Sequence, residues 1–458
     1  MKKFVMTFAL VVAFVLSVQA AKPKYIFLFI GDGMGMGHVM AAENYNRMVK
    51  GSAEPILMMQ FPVASQSWTY SANSPVTDSA AAGTALACGV KTKNYMLGVN
   101  PDTVAVNSVA HELKTKFGYG VGLVTSVAYD DATPAAHYAH RANRGMAEEI
   151  NYDGARSNFD FIAGAGTKAS EHGDVARGER IFEDWRANGW TVVKGIDALH
   201  AEKNPRRVLL MPAHPVGANE IGYTIDSLPG ANSLADLTRE CLDHLKRVSP
   251  SKFFMMVEGG NIDHAAHGND GGTVVKEIIN FQEALRIAYD FYRQHPKETL
   301  IVVTADHDTG GMTTGVKGGQ LRPDLIDYQR MSKEKFSDLC AQEKHRDWNS
   351  MKQLISERLG LFGPIAVSEL EEARLFDSYA RLRANIAKGN TTLYKEFNNF
   401  SETVFDLLNH KTGYGFTTNS HTGNPVPVYA IGVGSERFSR LCNNIDIPAH
   451  FRALTGVK

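Results

Sequence analysis

Cysteine is scarce in this 458-residue chain: only Cys88, Cys241, Cys340 and Cys442, scattered and without a C-x-x-C pair. That excludes a disulfide-dense scaffold. An excess of charge of either sign is also missing, with 48 Lys and Arg against 49 Asp and Glu and a formal net charge of -1. Nothing therefore marks a basic nucleic-acid-binding face or a charged, disordered segment. Internal repeats and low-complexity tracts are absent. The apolar run at residues 4–16 falls short of the roughly 20 residues that span a bilayer.

What is present is an ordinary globular composition, 44% hydrophobic and 21% charged. The length exceeds the roughly 250–300 residues over which one core keeps growing, which predicts a large domain carrying a sizeable insertion. The chain opens with Lys2 and Lys3, continues with the apolar run and reaches small residues at Val18-Gln19-Ala20. These are the three parts of a secretory signal at residues 1–20, so the expectation is export to the periplasm or beyond the cell, a mature start near Ala21 and no membrane anchor after cleavage.

Short apolar, β-rich runs recur at residues 25–30, 121–127, 208–211, 253–257, 300–304 and 426–431 and read as buried strands. Helical periodicity lies between several of them, as at residues 234–245 and 274–289. The alternation predicts an α/β fold, a three-layer sandwich around a mainly parallel sheet. From about residue 317 to 419 the pattern turns to charged, amphipathic segments such as 333–342 and 350–359 without a convincing strand. We read this as a helical insertion in a catalytic domain covering 21–458, with no ligand-like spacing inside it.

The polar clusters stand just after the apolar runs, where ligands of open parallel sheets collect. After the first comes Gly31-Asp32-Gly33-Met34-Gly35-Met36-Gly37-His38. A dinucleotide fingerprint fails here, because the last position of G-x-G-x-x-G/A falls on Met36, His38 or Met40. Asp32 is left as a candidate ligand. Val76-Thr77-Asp78-Ser79-Ala80-Ala81-Ala82-Gly83 opens an alanine-rich helix that Gly89 can close. A serine at such a start is most often an N-cap. The same position stabilises anions, which suits a serine that attacks phosphate; the two readings are compatible.

Asp131-Ala132-Thr133-Pro134 follows a strand and leads to His140, Arg141 and Arg144. The oxygens suit a hard cation such as magnesium. Arg144 reads either as a bidentate phosphate clamp or as a surface arginine, and the segment alone does not decide. Glu258-Gly259-Gly260-Asn261-Ile262-Asp263-His264-Ala265-Ala266-His267 puts Glu258 at a strand end and, if helical, Asp263 and His267 on one face, as zinc ligands would stand. Asp306 and His307 emerge at the end of another strand. His421 stands beside Gly423, and a lone histidine like this is usually structural. Cys88 reads as a small buried thiol.

In order, the stretches IGDGMG, VTDSAAAGTA, DATPAA followed by Arg144, VEGGNIDHAAH, TADHD and HTG resemble the alkaline phosphatase family from about residue 24 to the C-terminus, the insertion excepted. The resemblance implies hydrolysis of small phosphate monoesters through a phosphoserine on Ser79. It implies Arg144 as the clamp on the phosphate and Asp78 as the residue that positions that arginine. One zinc falls to Asp263, His267 and His421 and the other to Asp32, Asp306 and His307. Magnesium falls to Asp32, Asp131, Thr133 and Glu258. A homodimer is likewise what the family implies. Family members differ at the positions of Asp131 and His264. The rivals are a phosphodiesterase or sulfatase of the wider superfamily and a non-catalytic protein that binds phosphate or metal with the same residues.

Overall fold

The computed structural model describes residues 22–457 apart from 174, 214–220, 229–230, 317, 319, 343–346 and 388–398. The leader expected at residues 1–20 lies outside the described residues. Among the described residues no helix is long and apolar enough to cross a membrane, and the four cysteines are free.

Six strands match the apolar runs: β1 (Tyr25–Gly31), β3 (Gly120–Thr125), β6 (Val208–Met211), β7 (Phe253–Gly259), β8 (Thr299–Ala305) and β13 (Val426–Gly432). Four more complete the sheet: β2 (Val63–Trp68), β4 (Phe161–Ala163), β5 (Thr191–Lys194) and β14 (Cys442–Asn443). The order is β14-β2-β13-β8-β1-β7-β3-β4-β6-β5. Only β13 runs against the others, pairing antiparallel with both β8 and β2.

The centre of the sheet shows why the chain folds in three layers. All seven residues of β1 are buried, as expected for a parallel strand covered on both faces. Alternate side chains go to opposite sides. Tyr25, Phe27 and Phe29 join one hydrophobic core, while Ile26, Leu28 and Ile30 join the other. Helices cover both faces. The helix read at 234–245 runs Leu234–Val248 behind a Ser233/Asp236 capping box. The one read at 274–289 runs Gly271–Gln294, its early start secured by Asp270, whose side chain accepts from the Thr273 N–H.

Two short ribbons lie outside the main sheet. β9 (Asp308–Thr309) pairs with β12 (His421–Thr422), and β10 (Thr313–Thr314) pairs with β11 (Tyr414–Gly415). Between β10 and β11 lie the helices Lys333–Gln342, Trp348–Leu359, Glu369–Ala387 and Asn399–Thr412. They have a core of their own, including Phe336, Met351, Ile355, Phe400 and Phe405.

Candidate active site

Register brings the acids together. Gly31 pairs with Gly259 on one side and Ala305 on the other, so Asp32 and Asp306 leave neighbouring strands side by side, with Glu258 beside them in β7. Thr125 pairs with Glu258 across β3 and donates its hydroxyl to the Glu258 carboxylate at 2.5 Å. Gly33 has φ +68°, and a Cβ there would come within 2.7 Å of Asp263 Oδ1 and 2.8 Å of Thr309 Oγ1. Glycine is thus required both by conformation and by space.

Ser79 is the first residue of the helix Ser79–Cys88, whose N-cap is Asp78: its carboxylate accepts from Ala81 N at 3.0 Å. Gly89 closes the helix in the left-handed conformation at φ 73°. Because Asp78 takes the capping role, the Ser79 hydroxyl is free to face outward, and its Oγ lies 3.1 Å from His307 Nε2. Arg144 reaches Asp78 at 3.5 Å and Asp131 at 2.8 Å. Burial alone would lower the guanidinium pKa, but the Asp131 and Asp78 carboxylates outweigh it and raise it.

Two triads stand within ligand reach of a common ion: Asp263, His307 and His421, and Asp32, Asp306 and His307. His267 adjoins the first, with Nε2 3.1 Å from His421 Nε2 and 3.4 Å from Asp263. In the second, His307 Nε2 is 3.4 Å from Asp32 and 3.1 Å from Asp306. The rings are oriented from behind. His267 Nδ1 bonds the Asn419 carbonyl at 2.6 Å and His421 Nδ1 the Thr77 carbonyl at 2.9 Å. A carbonyl only accepts, so each Nδ1 carries a proton, which leaves Nε2 as the ligand atom of the neutral ring. Pairing of β12 with β9 sets His421 opposite Thr309.

The donor set fits divalent cations. Asp32 Oδ1 and Asp306 Oδ2 are buried without a hydrogen-bond donor among the described residues. Burial, followed by the charges of Asp306, Asp263 and Glu258, pushes the Asp32 carboxyl well above its usual range. Burial likewise raises Glu258 to about 7, against hydrogen bonds from Thr125 and Thr133. Burial, then His307, lowers His421 to about 4 and keeps it neutral. A carboxyl raised by burial and by its acidic neighbours, as Asp32 is, and a neutral imidazole are what a bound dication converts into stable ligands.

Asp131 has two local partners besides its place in the expected magnesium set. It caps the short helix Ala132–Ala135, accepting from Ala132 N at 2.7 Å, and its carboxylate is held by Arg144 and by Lys168 at 3.2 Å. Neither Asp131 nor Glu258 joins the two triads. The sequence reading missed Lys168, which carries no motif around it. It also gave no role to Thr309, although that residue lies inside the conspicuous strand-end stretch. Thr309 donates to Asp263 at 2.5 Å and faces His307 Nδ1 at 3.1 Å. It ties the two triads together.

A mainly parallel α/β sheet whose carboxyl edge gathers a serine, an arginine and two acid and histidine triads defines a metal-dependent hydrolase of phosphate esters. A family model described as alkaline phosphatase matches residues 23–456, and the chain belongs to that family. It is 30% identical to alkaline phosphatase 4 of Bacillus subtilis over 438 residues, 93% of this chain and 87% of the relative. It is 31% identical to streptomycin-6-phosphate phosphatase of Streptomyces griseus, over 66% of this chain and 77% of that protein. Among solved structures, the cold-active alkaline phosphatase of a psychrophilic Shewanella species superposes with a TM-score of 0.79 at 26% identity, covering 94% of this chain and 99% of that one. The protein is therefore a phosphatase, and its family hydrolyses phosphate monoesters with the help of metal ions.

Proposed function

We propose that this chain hydrolyses phosphate monoesters through a phosphoserine on Ser79, with two zinc ions and one magnesium ion as cofactors. The observation that carries the reading is the Ser79 hydroxyl, relieved of capping by Asp78 and set 3.1 Å from His307. Asp263, His267 and His421 would hold one zinc and Asp32, Asp306 and His307 the other. Asp32, Asp131, Thr133 and Glu258 would hold magnesium. Bound there, the cations would lower the pKa of the attacking hydroxyl or water and stabilise the leaving alkoxide.

The chain's own residues divide the remaining work. Arg144 binds two non-bridging oxygens of the phosphoryl group, its planar fork held by Asp78 and Asp131. Ser79 Oγ attacks phosphorus; an Oγ–P bond forms as the ester P–O bond breaks, and the alcohol leaves with a proton. Water then attacks phosphorus from the vacated side, releasing inorganic phosphate and returning the proton to Ser79. Two in-line displacements retain configuration at phosphorus. Because little covalent work falls to side chains, positioning and charge carry the rate, so the alcohol's identity matters little.

Export, guided by the leader-like residues 1–20, and a homodimer complete the reading. Residues 317–419 are read as a helical insertion in one catalytic domain, supported by their separate core.

The test is hydrolysis of p-nitrophenyl phosphate against bis(p-nitrophenyl) phosphate at alkaline pH, before and after chelation and after return of zinc and magnesium. Strong monoesterase activity restored by metal is expected. A preference for the diester would assign the chain to a sister activity, and no activity with either substrate would favour a binding protein.

A further inference from the structure

The carboxylate of Asp131 is shared between two cations, and only one of them belongs to the motifs. Lys168 Nζ lies 3.2 Å from both Asp131 oxygens, while Arg144 takes Oδ1 at 2.8 Å. The lysine is not a stray surface group. Its backbone N–H donates to both oxygens of the preceding acid, Asp130, at 2.9 and 3.1 Å. Asp130 is itself buried and held by Asn151 and Thr167, each at 2.6 Å. Consecutive aspartates therefore fix the two ends of Lys168: Asp130 its backbone and Asp131 its ammonium.

The balance of charge gives this contact its consequence. Arg144 contacts two carboxylates, Asp78 and Asp131. Those three groups alone carry one net negative charge where a phosphoryl dianion must bind. Lys168 brings the cluster to neutrality. The same ammonium occupies the carboxylate that a magnesium ion at the margin of the site would draw on, so it opposes that ion.

Resting on the phosphatase reading, we propose that Lys168 is a positioning residue of the phosphate site. Acting through Asp131, it frees the Arg144 charge for phosphate and weakens magnesium binding beside Asp131.

The test is calorimetric titration of the zinc-loaded enzyme, separately with inorganic phosphate and with magnesium, alongside p-nitrophenyl phosphate turnover. Lys168→Met should bind phosphate roughly ten-fold more weakly and magnesium several-fold more tightly, while Lys168→Arg keeps the wild-type phosphate affinity. Loss of fold would weaken both ligands together, so opposite signs distinguish positioning from structure. In an Asp131→Ala background, Lys168→Met should change phosphate affinity less than about two-fold, as expected when one residue acts through the other. Unchanged phosphate affinity in Lys168→Met, weakening of both ligands, or a full ten-fold loss in the Asp131→Ala background would each overturn the proposal. Failure of the wild-type enzyme to bind phosphate or turn over the monoester would instead overturn the phosphatase reading on which it rests.

Discussion

Ser79 Oγ and His307 Nε2 stand 3.1 Å apart, and that nitrogen also faces Asp32 and Asp306. The hydroxyl at the start of the helix is thereby directed at one triad while Asp78 caps the helix. Ser79→Ala removes the proposed nucleophile but none of the six acid and histidine donors. Turnover should fall by on the order of a thousand-fold or more, with bound zinc near wild type by elemental analysis. Normal turnover in this variant would remove Ser79 from the mechanism.

Arg144 is fixed by two carboxylates, and the proposed function gives it the grip on the phosphoryl group. Arg144→Ala should weaken competitive inhibition by phosphate and lower kcat/KM by roughly a hundred-fold, the scale of a lost charge-assisted pair. The melting temperature should change little. Arg144→Lys should recover only part of the loss, because an ammonium cannot reproduce the fork. Steady-state kinetics with phosphate as inhibitor checks both.

Gly33 lies against the proposed ligands rather than among them. A methyl group at φ +68° would collide with Asp263 and Thr309, and an alanine in the left-handed region costs about 1 kcal/mol besides. Gly33→Ala should therefore weaken zinc binding at the Asp263 triad and reduce activity, with excess zinc restoring part of it. Zinc titration against a competing chelator measures the effect; unaltered affinity would contradict the packing described.

His137 is buried, and neither ring nitrogen has a hydrogen-bond partner among the described residues. Burial lowers its pKa from 6.5 to about 3. The unfolded chain thus binds the proton more readily. The group's contribution to stability is fully present above pH 6.5 and is lost as pH falls towards 3. Between pH 8 and pH 5 the loss is about 2 kcal/mol. His137→Leu should flatten the acid side of the stability curve by that amount in urea unfolding. An identical pH dependence in both proteins would refute it.

Legibility in the sequence followed physical strength of signal. The strands at the centre of the sheet are unbroken apolar runs because both faces are covered. β2 was not legible: its VASQSW sequence alternates in burial and includes exposed positions. β4 and β14 are only three and two residues long, too short for a pattern to register, and β5, TVVK, is mostly half-buried or exposed where the equally short β6 is wholly buried and apolar. Asp32, Asp263, Asp306 and His307 announced themselves by standing beside glycines at strand or helix ends. His421 did not, since its place depends on a two-residue ribbon with Thr309, a contact over 112 positions that local spacing cannot encode. Lys168 was hidden for the same reason, since its partner lies 37 residues earlier.

Trapping the covalent intermediate tests the part given to Ser79 without relying on turnover. The zinc- and magnesium-loaded enzyme is mixed with a phosphate monoester, quenched in acid and digested, and its peptides are read by mass spectrometry. A phosphoryl group is expected on the peptide bearing Ser79, mapped to that residue and absent from Ser79→Ala. An active enzyme that yields no phosphopeptide, or one phosphorylated elsewhere, would contradict it.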